Sequence, residues 1–239
     1  ELDPAARRLW SLVREQVAAI QAAAGDRSRL QAALAARRAK SQEFFSSSAR
    51  QWDKMRDELF GERFLAAALA ALAPRDSVVG DLGCGTGQVS ATVAPFVSCV
   101  VAVDDSPAML EAARERLQAF HNVDLRRGEL GALPIDDATL DVATLMLVLH
   151  HLPDPPLAIR DIARTLKPGG RFILVDMLPH DRESYRRQMG HVWLGFGQDH
   201  VHRLFAQAGF DRTRIVPLAP DPRAKGPSLF VATAQKQGE

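Results

Sequence analysis

The run Asp81-Leu82-Gly83-Cys84-Gly85-Thr86-Gly87 is the stretch whose residue types and spacing most directly dictate chemistry. Glycine at every second position lets the backbone turn sharply and lets a ligand approach the peptide planes, because no Cβ stands in the way. A hydrophobic lead-in, Val78-Val79, and a helical pattern after Gly87 place the turn between a strand and a helix. Asp81 then narrows the ligand: a phosphate-binding loop avoids negative charge there, whereas a carboxylate accepts hydrogen bonds from an ammonium group. Seventeen residues after Gly87, the strand Val100-Val101-Ala102-Val103 ends in Asp104. An acidic side chain at that position accepts from both hydroxyls of a ribose. Asp105 reads first as the cap of a helix opening at Ser106-Pro107. Asp105 and Met109 are grouped with the ligand-facing residues. Dinucleotide enzymes use the second acidic residue in the same way, so these residues alone leave NAD open.

These residues need a scaffold, and the chain between Ser77 and Ala234 supplies an α/β pattern. Strands are predicted at Ser77–Leu82, Ser98–Val103, Val123–Arg127, Leu140–Leu145 and Arg171–Met177. Helices are predicted between them at Gln88–Ala94, Pro107–Gln118 and Pro155–Leu166. Short β-rich runs alternating with helices form a mostly parallel sheet with helices on both faces. Leu166-Lys167-Pro168-Gly169-Gly170 stops the last of these helices and turns into its strand. A helix-rich insert, about Arg182–Gly209, and late strands near Arg214–Leu218 and Ser228–Ala234 complete a seven-stranded count. Upstream, Pro4–Ala24 spaces Leu9, Val13, Val17 and Ile20 as an amphipathic helix that Gly25-Asp26 ends; Ser28–Lys40 and Lys54–Leu72 are further helices. The boundary near Pro74 divides a helical extension, 1–73, from a ligand-binding domain, 74–239.

Composition limits the setting. Lysine plus arginine (30) balance aspartate plus glutamate (29), so no global field points to nucleic acid or a charged membrane. The five basic residues between Arg27 and Lys40 read as a solvated helix face. Apolar stretches such as Val97–Val103 and Leu145–Leu149 fall far short of the roughly 20 residues of a membrane span, and a cytoplasmic home is expected. Cys84 and Cys99, the only cysteines, are read as free thiols. The chain opens on Glu1 instead of methionine, which reads as a fragment of a longer chain.

Further blocks follow the glycine turn in order: Gly128-Glu129-Leu130-Gly131-Ala132-Leu133-Pro134, Leu140-Asp141-Val142-Ala143, Leu149-His150-His151-Leu152 and Leu166-Lys167-Pro168-Gly169-Gly170. With the turn they resemble the class I, Rossmann-like methyltransferases that use S-adenosylmethionine (SAM) and release S-adenosylhomocysteine (SAH). Within that class they resemble the subfamily with an LPF-like block and an LHHL block after strand four. The resemblance covers about Phe44–Gln235, with Ile135 in place of the usual phenylalanine. It implies that Asp81 with Gly83, Cys84, Gly85 and Gly87 holds the methionine end, Asp104 the ribose, and Glu129 with Leu130 the adenine, while Leu147 lines the pocket. The segment Phe44–Asp53 resembles the family's lead-in, which makes Phe45 and Trp52 parts of a lid over SAM. A tryptophan face beside a sulfonium gains about 0.5–2 kcal/mol of cation–π attraction.

The methyl acceptor is expected to be a small molecule. If it is a hydroxyl or an ammonium, a base must remove its proton, and the candidates are His150, His151 and His191. His191 is preferred over His150 because histidine, aromatics and glycine gather around it in Gly190–Phe196. Trp193 and Phe196, if they line the pocket, point to an aromatic or apolar acceptor. No metal site is expected: His200 and His202, two apart, point about 200° apart on a helix. Arsenite is set aside because two cysteines, one inside the glycine turn, do not supply the thiolates it needs.

The opening Asp3–Trp10, the Arg-rich second helix and Leu178–Glu183 with Gly190–Phe196 also resemble fusions of an ArsR-type winged-helix regulator with a methyltransferase domain. That resemblance leaves a rival open, a SAM- or SAH-sensing effector domain. DNA would then be met only through a winged helix upstream of Glu1. It also implies a homodimer joined by the helices of Glu1–Lys40.

Overall fold

The computed structural model describes residues 3–18, 25–36, 39, 63–221 and 223–238. They fall into two compact units, Glu1–Phe64 and Leu65–Glu239. In the first, α1 (Pro4–Ala18) starts on an Asx cap, since the Asp3 carboxylate accepts from the amides of Ala5 and Ala6 at 2.8 Å. Its apolar residues Leu9, Val13 and Val17 are exposed. Residues 25–36 form α2, so Gly25 and Asp26, expected as a break, lie inside helical chain. Ile20 and Lys54–Glu62 lie outside the described residues.

The second unit opens within α3 (Arg63–Ala70) and contains one seven-stranded sheet of order β3-β2-β1-β4-β5-β7-β6. Its strands are β1 (Val78–Leu82), β2 (Cys99–Asp104), β3 (Val123–Arg127), β4 (Leu140–Met146), β5 (Leu166–Met177), β6 (Phe210–Pro217) and β7 (Leu229–Lys236). The first five pair in parallel, and β7 runs antiparallel between β5 and β6. Helices α4 (Gln88–Val93), α5 (Pro107–Leu117) and α6 (Pro155–Thr165) cross between the parallel strands, and α7 (Ser184–Met189) and α8 (Gln198–Gln207) form the insert before β6.

Alternation along β2 shows why the sheet is buried on both sides. Val101 and Val103 join the large core with Leu145, Phe172 and Phe205, while Val100 and Ala102 face two smaller clusters under α4 and α5. Helix α6 buries Ala158, Ile159, Ile162 and Ala163 on one stripe and starts at Asp154, whose side chain accepts from the Leu157 amide at 3.0 Å. The Lys167-Pro168-Gly169-Gly170 stretch is extended and enters β5 directly, so that strand begins earlier than the predicted Arg171.

Candidate functional site

Strand order decides where a ligand fits. The chain runs outward from β1 to β2 and β3, then returns to the other side of β1 for β4, so the connections diverge above the carboxyl ends of β1 and β4. Open α/β sheets bind ligands in that crevice. A cavity of about 940 Å³ lies there, lined by Asp81, Gly83–Thr86, Asp104–Ser106 and Met109, with Gly128, Leu130, Met146–Val148 and His151 also on its wall.

The glycine turn is built around two carboxylates. Asp104 accepts from the Gly85 amide through Oδ2 at 2.8 Å and from the Ser106 amide through Oδ1 at 3.0 Å, so it pins the turn to the start of the next helix. A carboxylate has about four acceptor sites, which leaves capacity for the two ribose hydroxyls expected of it. Asp81 is engaged differently from the ammonium contact expected of it. Ser90 donates to its Oδ2 through both amide (3.0 Å) and hydroxyl (2.6 Å), so the carboxylate fastens the end of β1 to α4. Burial pushes its pKa above the ordinary carboxylate range despite those bonds. The Cys84 thiol is pushed up to about 12 by burial and by the charges of Asp81 and Asp104, so it lines the cavity as an inert wall.

Gly85 has φ +53 and a Cβ placed on it would meet nothing within 4 Å, which marks an open cradle against the backbone. Gly87 has a different role. It is the N-cap of α4 with φ +74, a Cβ there would lie 2.8 Å from Leu117 Cδ1, and it does not line the cavity.

Several sequence expectations shift here. Ser106, not Asp105, caps α5, by accepting from the Met109 amide; Asp105 is exposed on the cavity wall. Glu129, in a bridge to Ala132, is exposed and does not line the cavity, while its neighbour Leu130 does. Leu147 does line the cavity, and with φ +59 it sits in the left-handed region that L side chains rarely adopt. Phe45 and Trp52 lie outside the described residues.

On the far wall, past His151, the structure assembles a group of imidazoles. His150 and His151 occupy a 3-10 turn, Leu149–His151, that follows β4. The buried Asp176 near the end of β5 takes His150 Nδ1 at 2.9 Å and is itself held by the Met177 amide at 2.7 Å. The insert is fastened to the same turn: Val192 and Trp193 amides donate to the His150 carbonyl at 2.9 and 3.0 Å, and Trp193 Nε1 donates to Leu152 O at 2.9 Å. This brings His191 to 4.3 Å from the His150 ring, where burial and the neighbouring histidines lower its pKa to about 4. Neither His150 nor His191 lines the cavity itself; His151 stands between them and it.

Sequence reasoning missed Asp176, although an acid in the otherwise apolar run Phe172–Met177 was the signal for it. Trp193 and Phe196 do not line the cavity; they pack on each other and on His200, which leaves His200 in ring contacts.

Residues 80–174 match the family described as a methyltransferase domain. The chain is 38% identical to an uncharacterized 37.1 kDa protein in a transposon of Streptomyces fradiae, over 58% of this chain and 44% of that protein. It is 35% identical to the 2-phytyl-1,4-naphtoquinone methyltransferase of Synechococcus elongatus, over 56% of this chain and 61% of that one. The chain thus spans about half the length of these two curated relatives. The solved structure of YcgJ from Bacillus subtilis superposes with a TM-score of 0.60 at 20% identity, covering 74% of this chain and 100% of that one, which shows the shared fold. The open cradle at Gly85, the carboxylate of Asp104 and a cavity of this volume fit an adenosyl amino acid, in keeping with the match of residues 80–174 to a methyltransferase domain.

Proposed function

We propose that this chain transfers the methyl group of SAM to a hydroxyl of a small-molecule acceptor, whose proton passes through His151 on the cavity wall to the buried His150–Asp176 pair behind it. SAM, when bound, supplies a methyl group already activated on a sulfonium, so the protein's task is to align the acceptor and keep water out. Asp104 and the glycine turn hold the cofactor end. Asp176 fixes the His150 tautomer: with Nδ1–H donated to the carboxylate, Nε2 is left as the proton acceptor. That 2.9 Å contact between two buried side chains carries the reading. His191, preferred from sequence, is a poorer base, since a pKa of about 4 leaves it little affinity for a proton at neutral pH.

The test is SAH formation from SAM across a panel of hydroxylated acceptors. His150→Ala is expected to lower turnover by about 10²- to 10⁴-fold while leaving SAM affinity unchanged. Full turnover in that variant would contradict the assignment. We also propose that the chain self-associates through α1, supported by the exposed Leu9, Val13 and Val17. Light scattering on the chain with and without residues 1–40 checks this; a mass near one chain, or a dimer that persists without those residues, refutes it.

A further inference from the structure

His150, His151 and His191 each offer one ring nitrogen, and these three atoms lie within 4.8 Å of one another. The ring centroids are 4.2 Å (His150 to His151), 4.3 Å (His150 to His191) and 4.9 Å (His151 to His191) apart. We propose that these three imidazoles form a binding site for one divalent first-row transition ion, Zn²⁺ by ligand type. No metal site is expected from the sequence, since His200 and His202 are set aside and the turn after β4 and the insert meet only in the fold.

Three observations carry the proposal beyond proximity. A metal-ligating histidine donates its other ring N–H to a carboxylate or a carbonyl, which fixes the tautomer and raises ligand basicity. His150 does this with Asp176 at 2.9 Å, and the Gly190 backbone lies beside the His151 ring for the same use. His191 provides the third: its Nδ1 is buried with no hydrogen-bond partner among the described residues, and the residue is only 7% exposed. A buried polar atom without a partner calls for a ligand or water, and a cation is a ligand that neutral imidazoles can satisfy together.

The geometry is close but open. Zinc–nitrogen bonds of about 2.0–2.1 Å put tetrahedral ligand atoms about 3.3 Å apart, so the rings must close by up to about 1.5 Å, a movement that rotation about soft imidazole torsions can supply. Three protein nitrogens leave a fourth position for solvent or substrate. An ion there would take the His150 nitrogen that the proposed base uses, so it would compete with proton transfer. That consequence rests on the proposed function; the binding does not.

The experiment is a titration of the full chain with Co²⁺ alone, followed by Zn²⁺. One Co²⁺ per chain with the visible bands of four-coordinate cobalt, displaced by one Zn²⁺, is expected. His151 is exposed, so His151→Ala leaves the fold intact, which a thermal melt verifies, and is expected to weaken Co²⁺ binding at least tenfold. Asp176→Asn removes no ligand and is expected to weaken it about ten- to hundredfold. Absence of the cobalt bands at stoichiometric metal, or Co²⁺ affinity unchanged in both variants, overturns the site. Loss of methyl transfer in His150→Ala has no bearing on this outcome, so failure of the base assignment and failure of the metal site read out separately.

Discussion

The two ends of the site are built in opposite ways. The cofactor end is made of backbone and carboxylates contributed by two adjacent strands and the turn between β1 and α4; the proposed acceptor end is made of imidazoles from a turn and an insert, with the Asp176 carboxylate from a strand end. The first arrangement is rigid because β1 and β2 are paired along their length and Asp104 is bonded on both oxygens. The second depends on a few long-range contacts, the insert's amides on the His150 carbonyl above all. Damage at the cofactor end should therefore remove binding outright, whereas damage at the acceptor end should alter chemistry and pH response with the cofactor still held.

The largest effect is expected from Gly85→Val. A branched side chain resists φ +53 and fills the space against the turn, so SAM affinity should fall by more than about 100-fold, or roughly 2.7 kcal/mol, by isothermal titration. Unchanged affinity would remove the turn from the site. Asp104→Ala comes next, because it loses both the ribose acceptor and the bond that holds the Gly85 amide. Charge-assisted bonds of about 1.5–3 kcal/mol each predict a loss of at least tenfold, and a loss under about threefold would contradict the role.

This contrast also marks what was legible in the sequence. The glycine turn at the end of β1 and Asp104 at the end of β2 could be read because each follows its own apolar run, and the mostly parallel seven-stranded sheet, though not its strand order, followed from the alternation of strands and helices. Ser90's capture of Asp81 could not be read, since a serine at one helical turn carries no signal of the carboxylate it faces. Nor could the His150–Asp176 contact, which joins residues 26 apart on neighbouring strand ends, or the arrival of His191 from the insert. Glu129, in a bridge to Ala132, is exposed and absent from the cavity's lining, while Leu130 lines the wall.

The acceptor end should also respond to acid. Burial depresses the pKa of His191 from 6.5 to about 4, and lowers His151 and His180 beside it. Each stays neutral in the fold while the unfolded chain takes up protons, so the stabilising contribution is complete above pH 6.5 and is lost as pH falls from 6.5 toward 4. The melting temperature is expected to drop across that window, with a flatter profile in His191→Gln; identical profiles would mean the cluster does not set the acid limit.

The smallest effect is expected from Leu147→Gly. It removes a side chain held at φ +59, worth about 1–2 kcal/mol of strain, against the backbone entropy that glycine loses on folding, of about 0.5–1 kcal/mol. The variant should melt slightly higher and bind SAM more weakly, because the lost side chain belongs to the cavity wall. A lower melt with unchanged binding would place Leu147 in packing alone.

The most direct measurement titrates SAM and SAH into the purified chain by calorimetry and then into Asp104→Ala. One adenosyl ligand per chain, with the affinity reduced at least tenfold in the variant, is the expected result. No measurable heat for either ligand at concentrations up to the millimolar range would contradict the account.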